Sequence, residues 1–176
     1  YRVLKVPLSF FQDSINDSVK LEDLSNNLFQ LGHEHEIENN IFNFELTPNR
    51  GDCLSLYGML RDLNVFYDLN RSVDIYDKTI KDLNLNFLNK AKLECPNIAF
   101  LKLEIEDSFN KKEYLPYLER YFNQLDNKKV NFFTDISNYI SFELGQPTHC
   151  YDFKKLDNNL TLEKISENKS FESLFN

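Results

Sequence analysis

The stretch Asp135-Ile-Ser-Asn-Tyr-Ile-Ser-Phe-Glu-Leu-Gly-Gln-Pro-Thr-His149-Cys-Tyr-Asp152 constrains this chain more than any other. It holds a helix start, an apolar helix, a glycine stop, a proline turn and one presented histidine. Asp135 is placed to cap a helix whose residues Ile136, Tyr139, Ile140, Phe142 and Leu144 are apolar nearly all round, as a buried helix requires. Gly145 supplies the left-handed stop, and Pro147 keeps the helix from continuing. His149 then follows a rigid buried element, which is how a polar group is aimed into a pocket.

The rest of the chain reads as a mixture of helices and short strands. Val3 to Phe11 begins as a strand or turn and leads into a helical segment. Leu21, Leu24, Leu28 and Leu31 recur at helical spacing until Gly32. Residues 36–38 and 41–46 alternate around Asn39-Asn40, predicting a hairpin. Thr47 to Asp52 forms a turn, with Asp52 placed to cap a helix that carries Leu56, Met59, Leu60, Leu63 and Phe66 inward. Residues 70–92 are polar, without strong periodicity, and read as a linker holding at most one strand. Ile98 to Glu106 alternates, with Ala99, Leu101, Leu103 and Ile105 on one face, and predicts a strand. Pro116 sits at the start of an amphipathic helix through Leu118, Tyr121, Phe122 and Leu125. Leu160 and Leu162 suggest a last strand before a polar, frayed tail. The fold class is α+β.

Bulk properties narrow the function classes. A length of 176 residues suits one domain or two small ones with a real core. No apolar run approaches the roughly 20 residues that span a bilayer, and no signal peptide opens the chain. A first residue of Tyr1 implies that the true N-terminus is missing or processed. The formal charge of −8 argues against binding nucleic acid through bulk electrostatics. Any RNA contact has to be local, through Lys111, Lys112, Lys128 and Lys129, whose bland reading is a solvated surface. Cys53, Cys95 and Cys150 show no CxxC spacing, so neither structural zinc nor a disulfide framework is indicated, and a reducing cytoplasm is the natural compartment.

Isolated motifs carry little chemistry. There is no GxGxxG, P-loop or HExxH. His33 and His35 flank Glu34, a metal-like spacing better explained by an exposed strand start. Arg50 could bind an anion at a helix start, but pairing with Glu45 or Asp52 is favoured. His149 and Cys150 are sequence neighbours whose side chains point apart, not a thiol–imidazole pair.

Two long blocks resemble a known family. Phe44-Glu-Leu-Thr-Pro-Asn-Arg-Gly-Asp-Cys-Leu-Ser-Leu-Tyr-Gly-Met-Leu-Arg-Asp62 resembles the TPNR-(A/G)-DCLS…ARD signature of the bacterial phenylalanyl-tRNA synthetase beta subunit. Asp135 to Asp152 resembles its D-(V/I)-TNYV…ELGQP-x-HAFD block. Pro7-Leu-Ser-Phe-Phe and Leu21-Glu-Asp-Leu are similar to the opening of its first domain. The resemblance implies a B1-like module over 1–69, a linker over 70–92 and the first part of a B3/B4-type editing domain over 93–176.

In that family the alpha subunit carries adenylate and aminoacylation chemistry, while the B3/B4 region hydrolyses tyrosine wrongly esterified to tRNA(Phe). A second site makes physical sense, because a phenylalanine pocket rejects an added hydroxyl by only about 10²-fold. The resemblance makes His149 and Asn138 the catalytic candidates, and Lys128, Gln146 and Pro147 the substrate-binding ones. Lys128 stands where relatives carry arginine, so it keeps the charge and loses the planar fork. It implies no cofactor in this chain, with ATP and Mg2+ serving the complete synthetase. The expected partners are the alpha subunit, in a heterotetramer of two alpha and two beta chains, and tRNA(Phe), with neither DNA nor membrane.

Two departures bear on function. The oligonucleotide-binding domain that many relatives insert after Gly32-His33-Glu34 is absent, which predicts weaker tRNA capture. The chain also stops at Asn176, before the family's downstream glycines and glutamate. The alternative function is therefore a non-catalytic scaffold of the synthetase with editing lost.

Overall fold

Residue alternation builds the first sheet. In β1 (Val3–Pro7) Leu4 and Val6 are buried while Val3 and Lys5 face outward. It pairs antiparallel with β3 (Ile41–Glu45), whose other edge takes β2 (His35–Glu38), giving the order β1-β3-β2. The register sets Leu4 opposite Phe44 and Val6 opposite Phe42. Asn39 and Asn40 link β2 to β3 with φ of 51° and 60°, left-handed values that asparagine tolerates and a two-residue hairpin turn demands. This computed structural model describes residues 3–69, 78–79, 81–166, 168 and 170.

Helices cover the sheet's apolar face. α1 (Leu8–Ser14) places the Phe11 ring edge-on to Phe42 and Phe44, at 5.5 and 6.3 Å between centroids. α2 (Leu21–Gln30) buries Leu24 and Leu28 and is followed by Gly32 at φ +85°, the expected stop. α3 (Leu56–Tyr67) buries Leu56, Met59, Leu60 and Leu63, but Phe66 is 40% exposed, not inward. The cap of α3 also differs from expectation. Ser55 Oγ accepts the Gly58 N–H at 2.9 Å, whereas Asp52 lies in a preceding 3-10 turn (Gly51–Cys53) and pairs with arginines. Asp52 is three residues too early, since a capping side chain reaches only the amides two or three positions on.

α4 (Pro116–Leu125) and α5 (Phe132–Leu144) join this same core. Leu118, Tyr121, Phe122, Tyr139 and Phe142 are buried with the residues of α1 to α3, and Phe10 meets Phe142 edge-on at 5.4 Å. The compact units therefore interleave: Tyr1–Ile75 with Asn110–Cys150, and Tyr76–Phe109 with Tyr151–Asn176. Packing follows the aromatic faces of α4 and α5. α5 begins one turn earlier than Asp135 suggested. Asn131 is its cap, accepting the Thr134 N–H at 3.0 Å, and Asp135 turns inward. Gly145 closes α5 at φ +74°, where an added Cβ would also stand 3.1 Å from Ser55 Cβ.

The second unit is small. β4 (Asn86–Asn89), the one strand allowed for in the 70–92 linker, pairs parallel with β5 (Asn159–Leu162), Phe87 opposite Leu160. Most of the linker's first half, residues 70–77, lies outside the described residues. A 3-10 turn (Phe153–Lys155) is capped by Asp152, which accepts the Lys154 N–H. The strand expected over 98–106 is not formed: Leu101 and Leu103 are 79% and 69% exposed, and no strand among the described residues pairs with their backbone. Alternation supplies a face, but a strand also needs a ladder partner. Much of the tail after residue 166 lies outside the described residues. No helix among the described residues is long and apolar enough to cross a membrane.

Candidate functional site

α5 and the turn behind it hold four of the five expected site residues on or alongside one helix. Asn138 lies half-buried on α5, between buried Ser137 and Tyr139. After Gly145 the chain folds back. Ser141 Oγ donates to the Gln146 carbonyl at 3.2 Å, Thr148 Oγ1 donates to the Ser137 carbonyl at 3.4 Å, and Ser137 Oγ meets Cys150 Sγ at 3.3 Å. These bonds lay residues 146–150 along the stretch 137–141 of α5, the stretch that carries Asn138. Pro147, Gln146 and His149 are exposed. Lys128 is exposed too and precedes the opposite end of α5, a helix of 13 residues and roughly 20 Å.

The start of α5 is held from inside. Asp135 is fully buried, accepting the Tyr114 hydroxyl at 2.6 Å and the Val130 N–H at 2.9 Å. Burial and this bond to Asp135 push the Tyr114 hydroxyl up to about 12. Replacing Asp135 with alanine leaves the half-buried Tyr114 hydroxyl and the Val130 backbone donor without their acceptor. We expect Asp135→Ala to lose about 3 kcal/mol in urea unfolding, and Tyr114→Phe closer to 1 kcal/mol. Equal losses would show that the carboxylate holds nothing beyond Tyr114.

A second polar cluster lies under α3, and periodicity did not show it. Arg50 donates to Asp52 at 3.1 Å, to Asp62 at 2.6 Å and to Cys53 Sγ at 2.9 Å. Asp62 also accepts from His33 Nε2 at 2.8 Å, and Arg61 pairs with Asp52. The favoured pairing of Arg50 with Asp52 is present, and Asp62 is the partner that the local reading missed. Its signal was available, because Arg50 and Asp62 stand at the two ends of the Thr-Pro-Asn-Arg…Arg-Asp block.

Burial pushes the Asp62 carboxyl up, but the bonds from His33 and Arg50 and the Arg50 charge outweigh it and hold it below the carboxylate range. Burial and then the Asp62 charge push the Cys53 thiol up to about 12, so it is neutral and inert as a nucleophile. The reading of His33 and His35 as a strand start holds, since β2 begins at His35, but their expected exposure is corrected. His33 is buried on Asp62, and His35 stacks on Phe29 at 4.1 Å between centroids. Nδ1 of His35 donates to the His33 carbonyl and Nε2 accepts from Ser25 Oγ; burial lowers its pKa, leaving the ring neutral. His33, Cys53 and Asp62 could together hold a metal ion, their ligand atoms lying within 4.8 Å. The Arg50 guanidinium stands among them and supplies the cation instead.

One open groove in this unit has a volume of about 450 Å³ and is lined by Lys111, Lys112 and Lys129 with Tyr114, Phe132 and Phe133. None of the five expected site residues lines it.

Residues 99–176 match the B3/4 domain family. The chain is 30% identical over 143 residues to the phenylalanine–tRNA ligase beta subunit of Rickettsia conorii, covering 78% of this chain and 17% of the relative. It is 24% identical over 178 residues to that of Wolbachia sp. subsp. Brugia malayi (92% and 22%), and 30% over 132 residues to that of Acinetobacter baylyi (74% and 16%). No solved structure matches it significantly. Over residues 99–176, a span that includes α5, the chain is similar to the B3/4 domain family. More particularly, the chain is a homologue of phenylalanine–tRNA ligase beta subunits over most of its length, and it spans about a fifth or less of the length of these curated relatives.

Proposed function

We propose that this chain acts as part of a phenylalanine–tRNA ligase beta subunit, contributing to subunit structure and forming one wall of a site that hydrolyses tyrosine esterified to tRNA(Phe). The supporting observation is the fold-back after Gly145, which binds residues 146–150 to the stretch 137–141 of α5. Hydrolysis needs an oriented carbonyl, a water held in line and a donor for the developing oxyanion. Water adds to the ester carbonyl, the bond to the ribose oxygen breaks, and tyrosine leaves with the tRNA hydroxyl restored. His149 orients the water or the tRNA end, Asn138 supplies an amide donor, and Lys128, Gln146 and Pro147 contact the substrate. The aminoacylation step, with its ATP and Mg2+, falls to the alpha subunit in a cytoplasmic assembly of two alpha and two beta chains. In linear terms 1–69 serves as the B1-like module, 70–92 as its linker and 93–176 as the start of the editing domain.

The scaffold reading also draws on an observation. Lys128, Gln146, Pro147 and His149 are exposed, and none lines the groove described above. Deacylation of tyrosyl-tRNA(Phe) by the complete assembly, native against His149→Ala, separates the two. Editing predicts a loss of about 10²-fold with aminoacylation unchanged. Equal deacylation rates in the two would leave the scaffold role alone.

A further inference from the structure

The groove at the start of α5 joins two features that otherwise serve different ligands. Its aromatic side presents Phe133, an exposed ring, beside Tyr114 and Phe132, whose centroids are 5.8 Å apart. Its charged side places ammonium groups over those rings: Lys111 Nζ lies 5.5 Å from the Phe133 centroid and Lys129 Nζ 4.8 Å from that of Tyr114. Lys129 is also held by Glu119 at 2.6 Å. Lys111 and Lys112 have no carboxylate within ion-pair distance among the described residues, in a chain whose formal charge is −8. The N-terminal end of the α5 dipole adds positive potential. An acidic peptide would use the lysines and not the rings, and an apolar peptide would use the rings and not the lysines. An unpaired nucleotide uses both, its base on an aromatic face and its phosphate on a cation. A volume of about 450 Å³ lies in the range of roughly 300–1,000 Å³ typical of small-ligand sites.

We propose that this groove binds one unpaired nucleotide, its base stacked on Phe133 and its phosphate held by Lys111 and Lys112. The same chemistry is offered by the end of an RNA strand and by a free mononucleotide. The site uses none of the residues assigned to ester hydrolysis, so it stands or falls independently of the editing reading.

The test is fluorescence anisotropy of a labelled, unstructured oligoribonucleotide titrated with the 176-residue chain at low salt. Phe133→Ala should weaken binding about tenfold. The double change Lys111→Gln and Lys112→Gln should weaken it and flatten the salt dependence, by about 0.7 in logarithmic slope for each phosphate no longer neutralised. Both sites are exposed, and circular dichroism checks that each variant keeps its fold. Displacement by adenosine monophosphate would identify a free nucleotide as a sufficient ligand, and displacement only by oligoribonucleotides would identify a strand end. Either result supports the groove. Unchanged binding by Phe133→Ala, equal displacement by an oligoglutamate peptide, or no binding at low salt would overturn it.

Discussion

Gly58→Ala is expected to destabilise the chain by about 3 kcal/mol or more, although alanine is the better helix former by about 1 kcal/mol. The reason is space. A Cβ on Gly58 would stand 2.1 Å from the Asp52 carbonyl oxygen and 2.9 Å from Cys53 Cα, both backbone atoms. No rotamer relieves a backbone clash, so either the first turn of α3 or the 3-10 turn before it must move. Moving that turn shifts Asp52 and Cys53, and with them the bonds to Arg50. For a chain of this size a loss of 3 kcal/mol lowers Tm by roughly 6–12 °C. Gly51→Ala is the control, because nothing lies within 4 Å of a Cβ there. Equal melting temperatures for Gly58→Ala and Gly51→Ala would mean that the close approach of α3 to its preceding turn does not matter.

Asp62→Ala carries the second large effect, about 3 kcal/mol at neutral pH. The Asp62 side chain is mostly buried and accepts from His33, Arg50 and the Cys53 thiol. Deleting it leaves the buried His33 imidazole without its carboxylate and Arg50 paired with Asp52 alone. The effect depends on pH in a defined direction. The carboxyl is held lower in the folded chain than in the unfolded one, where it titrates near 4. Its contribution is therefore complete above about pH 4 and is lost as pH falls through the folded-state value. Urea unfolding of native and Asp62→Ala chains should show a gap that is widest at neutral pH and closes toward acid. A gap independent of pH would mean that packing, not charge, accounts for the loss.

Much of the architecture was legible locally. Asn39-Asn40 predicted the hairpin, Gly32 and Gly145 the helix stops, and Pro116 the start of α4, because each depends on backbone preferences of one or two residues. Errors arose where a side chain had a choice. Asp52 and Asp135 both look like caps by type, yet Asn131 and Ser55 lie at the reach a cap needs, while Asp135 serves Tyr114 and Asp52 serves two arginines. Residues 98–106 alternate like a strand, but pairing depends on a neighbour that no local pattern specifies.

The candidate site divides the same way. His149 and Asn138 could be singled out from their block, and the fold-back that returns residues 146–150 along α5 follows from Gly145 and Pro147. The closing bonds from Ser137, Ser141 and Thr148 became visible only in three dimensions. The groove beside α5 was represented in the sequence only by scattered lysines with a bland reading.

The sequence by itself determined the hairpin, the glycine helix stops and the kinship with phenylalanine–tRNA ligase beta subunits, because these rest on residue type and near-neighbour spacing. Only the tertiary structure decided that α4 and α5 pack with the front of the chain, that Asp62 unites Arg50, His33 and Cys53, and that lysines face aromatic rings at the start of α5. Those outcomes depend on which apolar faces and buried charges meet across long sequence separations, and local preference does not encode the meeting.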